Sequence, residues 1–349
     1  MQFGTSATRR LTGSLVALLA LAACTDTAST PSAITAPDAA ALSASENASD
    51  VGAFNSDGHG HVMMTRGQLE NLNAAGSKAG GGSGIFYHGG PVLQAATNVA
   101  AVYWAASPIY NSGPAAGTSG SGASDGSLIG TFLRNIGGSP YYGINSSYKD
   151  GAGNAIANIV NYTQFYANNV NVPSAGQNVS DAQMIAALQG AFNAGKLTYN
   201  ASTLYAIFTA GTVNLGGGFG TQYCAYHTHG TVTIGGVAKT VLYAAMPYNN
   251  AYPSACTSGL AAANGSLDPG ADYEVNTLVH EVEETTTDMM GNAWYDRRGY
   301  ENADKCAWTW GTVQTGSNGG KYNITIGGTH FLVQQNWKNT GSGGCGLSL

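Results

Sequence analysis

The hydrophobic pattern of residues 84–349 alternates short apolar strands with amphipathic helices. Val99–Trp104 and Leu204–Thr209 are continuous apolar runs with the length of buried β-strands. A helix pattern follows the first strand, and another helix begins at Ser180, where Gln183 completes a capping box. The apolar positions predicted to face inward on these two helices are Leu128, Ile129, Phe132, Leu133, Ile136, Ile185, Leu188 and Phe192.

Two β-hairpins are predicted where a Gly-Gly pair separates alternating β-forming residues. The turns are Ile234-Gly235-Gly236-Val237 and Ile326-Gly327-Gly328-Thr329, and such pairs favour the two-residue turns of hairpins. Because strands and helices alternate over residues 83–349, we expect one domain of the α/β (α+β) class. Its mixed β-sheet would be covered by helices.

The N-terminus has the features of an export signal. Arg9 and Arg10 precede an apolar run that ends in Leu-Ala-Ala-Cys at Cys24, and this run is shorter than the roughly 20 residues of a membrane span. We predict a signal peptide over residues 1–23 and lipidation of Cys24, with ordinary cleavage and a free Cys24 as the alternative. The protein would then be exported, as a cell-envelope lipoprotein or an extracellular protein.

Residues 24–82 are predicted to be a disordered tether. They are rich in Ala, Ser, Thr, Asp and Gly and hold few large apolar residues, so burial cannot offset the entropy of ordering them. His59 and His61 lie in this stretch, where a paired-histidine metal site is conceivable. We prefer the interpretation that both belong to a solvated linker.

Cysteine usage fits an exported protein. With Cys24 assigned to the lipid, four cysteines remain, which allows three pairings. We favour the two pairings that each close a moderate loop, and a four-cysteine zinc site lacks any close Cys-x-x-Cys pair. The favoured disulfides are Cys224 with Cys256 and Cys306 with Cys345.

Charge excludes one class of partner. The net charge is -6, and the 13 Lys and Arg residues are scattered without a basic stripe, so nucleic acid is excluded as the main partner. The chain combines 50 Gly and 19 Tyr with only 9% charged residues, which is typical of a secreted protein with many turns. We expect a monomer that meets the membrane through its N-terminal lipid.

The segment Asp272–Asp304 carries the candidate chemistry. Its apolar residues at i, i+3, i+4 and i+7 predict a helix with one apolar face, and the motif on the other side of the helix makes it zincin-like. His280 and Glu284 stand one turn apart on the other side, where they can bind one cation, and Glu281 would project beside it. This is the arrangement of His-Glu-x-x-His metallopeptidases with a glutamate as the second ligand. The apolar positions are Val275, Leu278, Val279 and Val282.

Charge density along this helix also favours a cation. Six of the 19 acidic residues of the chain lie between Asp272 and Asp288, while no Lys or Arg occurs between Lys239 and Arg297. A solvated acidic face is the alternative interpretation. We select Asp304 as the third metal ligand, with Asp288 and Glu301 as alternatives.

Three histidines are candidates for substrate binding. His227 and His229 alternate on a predicted strand, so their side chains lie on one face. His88 precedes Gly89-Gly90-Pro91 and can instead shape a loop. Packed or surface histidines without a role in binding are the competing interpretation for the pair.

Three stretches resemble the phosphate-induced protein 1 family, also called the exordium family. They are Tyr87-His88-Gly89-Gly90-Pro91-Val92-Leu93, the strand Val99–Trp104, and Cys224-Ala225-Tyr226-His227. The resemblance covers most of residues 84–349 and includes the four-cysteine layout. It implies a secreted protein that resembles apoplastic, growth-related plant members with no established reaction. This sequence departs from the plant pattern at His280, Glu281 and Glu284.

The leading functional hypothesis is a zinc-dependent metallohydrolase, with a peptidase as the preferred class. His280, Glu284 and Asp304 would bind Zn²⁺, and Glu281 would activate the attacking water. The substrate would be a peptide or a cell-wall component. The alternative is a non-catalytic exordium-like cell-surface binding or signalling protein, which binds carbohydrate through its aromatic residues or holds structural Ca²⁺.

Overall fold

The computed structural model describes residues 61–74 and 84–349. The predicted signal peptide, the lipidation site Cys24 and His59 lie outside the described residues. No helix in the described ranges combines the length and the apolar character needed to cross a membrane.

The domain is built on a mixed sheet of seven strands. The strands of the whole described chain are β1 Val62–Met64, β2 Phe86–Tyr87, β3 Thr97–Trp104, β4 Ser119–Ser121, β5 Val160–Tyr166, β6 Thr203–Thr209, β7 Tyr223–Ile234, β8 Val237–Met246, β9 Trp294–Tyr295, β10 Gln314–Thr315, β11 Lys321–Tyr322, β12 Ile324–Ile326, β13 Thr329–Phe331, β14 Asn336–Lys338 and β15 Gly344–Gly346. The main sheet has the order β1-β7-β8-β6-β3-β5-β4. Its β5, β3, β6 and β8 run parallel, whereas β1, β7 and β4 pair antiparallel with their neighbours.

Helices cover both faces of this sheet. They are α1 Arg66–Ala74, α2 Leu128–Asn135, α3 Asp181–Asn193, α4 Pro253–Cys256 and α5 Pro269–Thr287, with 3-10 turns at Gly122–Ser124, Tyr142–Ser147, Asn249–Ala251 and Asp304–Cys306. Along β3, Ala101 and Tyr103 face the core beneath α2 and α5, while Ala100 and Val102 face the core beneath α3. Because successive side chains of β3 point to opposite faces of the sheet, both faces of the strand are buried. This is expected for a strand whose sequence is a continuous apolar run. The predicted mixed sheet covered by helices is therefore confirmed.

Local sequence signals correctly predicted the start of helix α3 and the turns of two hairpins. Ser180 caps α3 through the predicted capping box with Gln183. The β7–β8 and β12–β13 hairpins turn at the predicted Gly-Gly pairs. In both turns each glycine has a positive φ, between 55° and 80°, which is what a type I′ turn requires.

The prediction of a disordered tether through residue 82 is wrong for residues 61–74. Val62–Met64 forms β1, which pairs antiparallel with β7 at the edge of the sheet, and α1 follows directly. The indole Nε1 of Trp308 donates a hydrogen bond of 2.8 Å to the carbonyl of Met64. The strand is only three residues long. Its partner strand β7 lies about 160 residues later in the chain, so local composition does not reveal the pairing.

Both favoured disulfides are confirmed. Cys224 pairs with Cys256, and Cys306 pairs with Cys345. Two disulfides are consistent with an oxidising location outside the cytoplasm. The second bond fastens the short 3-10 turn that begins at Asp304 to the C-terminal hairpin β14–β15.

Removing the second disulfide should destabilise the domain. We expect the double variant Cys306→Ala/Cys345→Ala to lose about 4 kcal/mol of unfolding free energy, because the bond closes a sequence separation of 39 residues. Urea unfolding of the variant beside the wild type measures this loss. An unchanged midpoint with an unchanged slope would contradict it.

Candidate metal centre

Helix α5 is buried on its polar side as well as on its apolar side. Val275, Leu278, Val279 and Val282 pack into the main core. The side chains of His280, Glu281 and Glu284 are also fully buried. The alternative of a solvated acidic face is therefore wrong. Strand β1 and the chain from Glu301 to Asp304 cover this side of α5.

The structure brings together the three residues predicted as metal ligands. Nε2 of His280 lies 3.0 Å from Oε1 of Glu284 and 3.5 Å from Oδ1 of Asp304. Donor atoms bound at 2.0–2.1 Å around a tetrahedral ion lie about 3.3 Å apart. The two measured distances bracket that value, so these three atoms can surround one ion with little movement.

Gln334 orients the imidazole of His280. Its Oε1 lies 3.2 Å from Nδ1 of His280, and its Nε2 donates to the carbonyl of Ala303 at 2.8 Å. Because the second bond fixes which end of the amide carries oxygen, Nδ1 of His280 is the donor. In the neutral imidazole, Nε2 then carries the lone pair and faces Glu284 and Asp304, as a metal-binding histidine requires.

Backbone groups position the two carboxylates of this set. The N–H of Asp304 donates to Oε1 of Glu284 at 3.0 Å, and the N–H of Glu301 donates to Oδ2 of Asp304 at 3.3 Å. One oxygen of Asp304, Oδ1, accepts no hydrogen bond from the described residues. That oxygen is the one that faces His280.

A second group of ligand-type side chains adjoins the first. Nε2 of His227 and Nδ1 of His61 lie 3.0 and 2.7 Å from Oε2 of Glu301. Nε2 of His227 is also 3.6 Å from Oε2 of Glu284. His61 directly precedes β1, and its side chain is buried, so its assignment to a solvated linker is wrong.

Glu281 lies on α5 directly after the ligand candidate His280. Both of its carboxylate oxygens are buried, and neither accepts a hydrogen bond from the described residues. One donor atom from each of His227, Glu281 and Glu284 lies within 4.8 Å of the other two. Glu281 therefore projects into the same centre, as the helix spacing predicts.

Asp288, an alternative third ligand, ends α5 beside the centre. Its Oδ1 accepts N–H groups from Asn292 and Ala293 at 2.6 and 2.7 Å, and its buried Oδ2 accepts no hydrogen bond from the described residues. Asp288 thus fastens the turn after α5. The other alternative, Glu301, lies between the two imidazoles of the second group.

The centre concentrates negative charge away from water. Five buried carboxylates meet three buried imidazoles. Within the described ranges, their ion pairs are with histidine, and none is with Lys or Arg. The nearby ammonium of Lys305 pairs with Asp296 at 2.8 Å. The carboxylates are Glu281, Glu284, Asp288, Glu301 and Asp304.

Burial and mutual repulsion shift the acid–base equilibria of this cluster. Burial, together with the charge of Asp304, raises the pKa of Glu284 to about 7. Burial also raises the pKa of Glu281 well above its usual range. Burial lowers the pKa of His227 to about 4, whereas at His61 the opposite effect of Glu301 prevails and raises the pKa to about 10. Without a metal ion, protons bound by His61 and by carboxylates of the cluster must therefore reduce its negative charge.

Two of the histidines predicted to bind substrate lie outside the cluster. His88 is exposed and stacks on Tyr295 at a ring-centroid distance of 3.7 Å. The Tyr295 ring is in turn 6.5 Å from that of His61. His229 is half-buried on β7, and burial followed by the charge of His227 lowers its pKa. His227, the third candidate, belongs to the cluster itself.

Comparisons with protein-family models, with curated proteins and with solved structures return no match to this chain. The resemblance to the phosphate-induced protein 1 family stays a prediction. Function must therefore be argued from the residues of the centre.

Proposed function

We propose that this chain is an exported metallohydrolase that binds zinc through His280, Glu284 and Asp304. The observation that carries the proposal is the convergence of these three side chains at 3.0 and 3.5 Å in the protein interior. Without a bound cation, the burial of these charged side chains would destabilise the folded state, because the charges lose their hydration. Gln334 supplies the acceptor that metal-binding histidines commonly have on their second nitrogen.

The donor set favours zinc over calcium. Calcium prefers six to eight oxygen ligands, whereas imidazole nitrogen suits zinc and other late transition ions. The centre contains three imidazoles within hydrogen-bonding distance of its carboxylates. A mixed set of nitrogen and oxygen donors therefore supports zinc.

Glu281 is proposed as the general base. It follows the ligand His280 directly on α5, and its carboxylate has no hydrogen-bond partner among the described residues. Zinc polarises a bound water and lowers its pKa. Glu281 would take the proton of that water as it attacks an amide carbonyl and would pass it to the leaving amine. A peptidase is the preferred class because this order of residues matches the metallopeptidase helix.

A second candidate function is a non-catalytic cell-surface protein with a structural metal ion. The burial of the centre favours it, because every carboxylate and imidazole of the cluster is at most 3% exposed. A substrate could reach Glu281 only after a covering element moves. The exordium resemblance is compatible with this candidate, and hydrolysis assays separate the two functions.

Metal analysis tests the proposed function first. We expect purified wild-type protein to hold stoichiometric zinc and His280→Ala to hold about one ion less per chain, because the residue supplies the central ligand of the set. Inductively coupled plasma mass spectrometry after gel filtration measures the content. His229→Ala, a histidine on β7 outside the cluster, is the matched control and should keep the wild-type content.

Two results would contradict the metal site. The first is wild-type protein, purified without chelator and offered zinc, that carries none. The second is His280→Ala with an unchanged content. His280→Gln, which keeps more of the side-chain volume, repeats the test if the alanine variant does not fold by circular dichroism.

A further inference from the structure

We propose that the centre holds a second divalent transition-metal ion, bound by His61, His227 and Glu301 and joined to the first ion by Glu284. The inference deepens the proposed function and rests on it, because Glu284 is a ligand of both ions. It adds two histidines that the zinc site of α5 does not use. It also changes the class of the centre from mononuclear to dinuclear.

Glu284 has the geometry of a bridging carboxylate. Its Oε1 lies 3.0 Å from Nε2 of His280, and its Oε2 lies 3.6 Å from Nε2 of His227. The two oxygens of one carboxylate thus face two different imidazoles. In two-metal hydrolytic sites the ions lie about 3.5–4 Å apart and share such ligands.

The carboxylate of Glu301 lies between the two imidazoles that we propose as further ligands of the second ion. Oε2 of Glu301 lies 2.7 Å from Nδ1 of His61 and 3.0 Å from Nε2 of His227. These contacts are slightly shorter than the roughly 3.3 Å between ligands of a tetrahedral ion. A small outward movement of each side chain would place an ion among them.

Buried oxygens without hydrogen bonds point independently to a missing ligand. Oε1 of Glu301 and Oε2 of Glu284 are buried and accept no hydrogen bond from the described residues. Buried carboxylate oxygens in native proteins are nearly always satisfied. Their grouping around His227 is explained if a cation lies there.

Charge gives a further reason to place two ions rather than one. The five carboxylates carry -5 when ionised and the imidazoles are neutral when they bind metal. One divalent ion leaves -5 + 2 = -3 in the interior, and a second leaves -3 + 2 = -1. The competing arrangement is a protonated His61 that pairs with Glu301 in place of the second ion.

The proposal gives the N-terminal strand a role in the site. His61 precedes β1, which is held to β7 by backbone pairing between Val62 and Tyr226 and between Met63 and Ala225. The same pairing brings His61 beside His227, with ring centroids 5.9 Å apart. Residues 61–64 therefore complete a site whose other ligands all lie more than 150 residues later.

Metal stoichiometry and X-ray absorption test the second site. The full-length protein is stripped with chelator, reloaded with Zn²⁺ alone and separated from free ion before analysis. We expect about two ions per wild-type chain and about one in His61→Ala and in His227→Ala. His229→Ala should keep two. In the wild type, absorption spectra should show metal–metal scattering at about 3.5–4 Å.

The outcomes separate this inference from the proposed function. One zinc per wild-type chain without metal–metal scattering overturns the second site and leaves the first intact. No bound zinc overturns both. Two ions in the wild type that also remain in His61→Ala and His227→Ala overturn the ligand assignment. The conservative variants His61→Gln and His227→Gln replace the alanine variants if those do not fold.

Discussion

Glu281→Gln is expected to lower the rate of hydrolysis by about 10²–10⁴-fold while the bound zinc stays in place. The amide has nearly the shape of the carboxyl group but cannot accept the proton of the attacking water. Glu281 is not among the proposed zinc ligands His280, Glu284 and Asp304, so metal binding should survive. The measurement is turnover of a peptide library, followed by mass spectrometry, beside metal analysis of the same preparations.

Glu283→Gln is the matched control for this prediction. Glu283 lies on the same helix and is equally buried, but its Oε2 accepts a hydrogen bond of 2.6 Å from Nδ2 of Asn336. Glu283 belongs to none of the groups of ligand-type side chains in the described residues, and glutamine keeps an oxygen that can accept the hydrogen bond from Asn336. We expect near wild-type turnover from Glu283→Gln. Equal losses in the two variants, or full activity of Glu281→Gln, would contradict the role of Glu281.

The parts of the site that were predictable are those encoded by local spacing. His280 and Glu284 are one helical turn apart, so the periodicity of α5 places both on the same side before any tertiary contact is known. Asp304 could be selected because it lies two residues before Cys306, whose disulfide fastens the returning chain. These inferences need only a helix, a turn and a cross-link.

The other parts depend on pairing between distant segments. His61 lies in a polar, glycine-containing stretch, and only the backbone pairing of β1 with β7 carries it to Glu301. Gln334 is an ordinary polar residue in sequence, and its hydrogen bond to His280 joins positions 54 residues apart. Neither contact has a local signature. Such contacts emerge only when the sheet order and the path of the C-terminal segment are known.

The burial of the acidic side of α5 contradicts the alternative interpretation, in which this side is a solvated acidic face. An acidic helix face is usually solvated because ionised carboxylates lose much hydration on burial. Here that face is covered, and Glu274, Glu281, Glu283 and Glu284 are all fully buried. The residues that the alternative interpretation leaves in solvent therefore form a charged centre in the core, and this increases the need for bound cations.

Removing metal with a chelator should lower the melting temperature of the domain by about 8–16 °C. Ligand at a thousand times its dissociation constant stabilises the folded state by about 4 kcal/mol, and each kcal/mol shifts the melting temperature of a domain of this size by about 2–4 °C. The physical cause is the loss of the cation that offsets five buried carboxylates. Differential scanning calorimetry of untreated and chelated protein measures the shift.

Readdition experiments determine whether the effect belongs to this centre. Zn²⁺ should restore the melting temperature of the chelated wild type, whereas Ca²⁺ should not, because imidazole ligands of the centre are poor partners for calcium. His280→Ala should melt lower than wild type before chelation and respond less to the chelator, since it has already lost an ion. The chelator leaves both disulfides intact, so they contribute equally to every sample. If wild-type protein that holds zinc melts at the same temperature with and without chelator, the ion lies outside this buried cluster and cannot be what stabilises it.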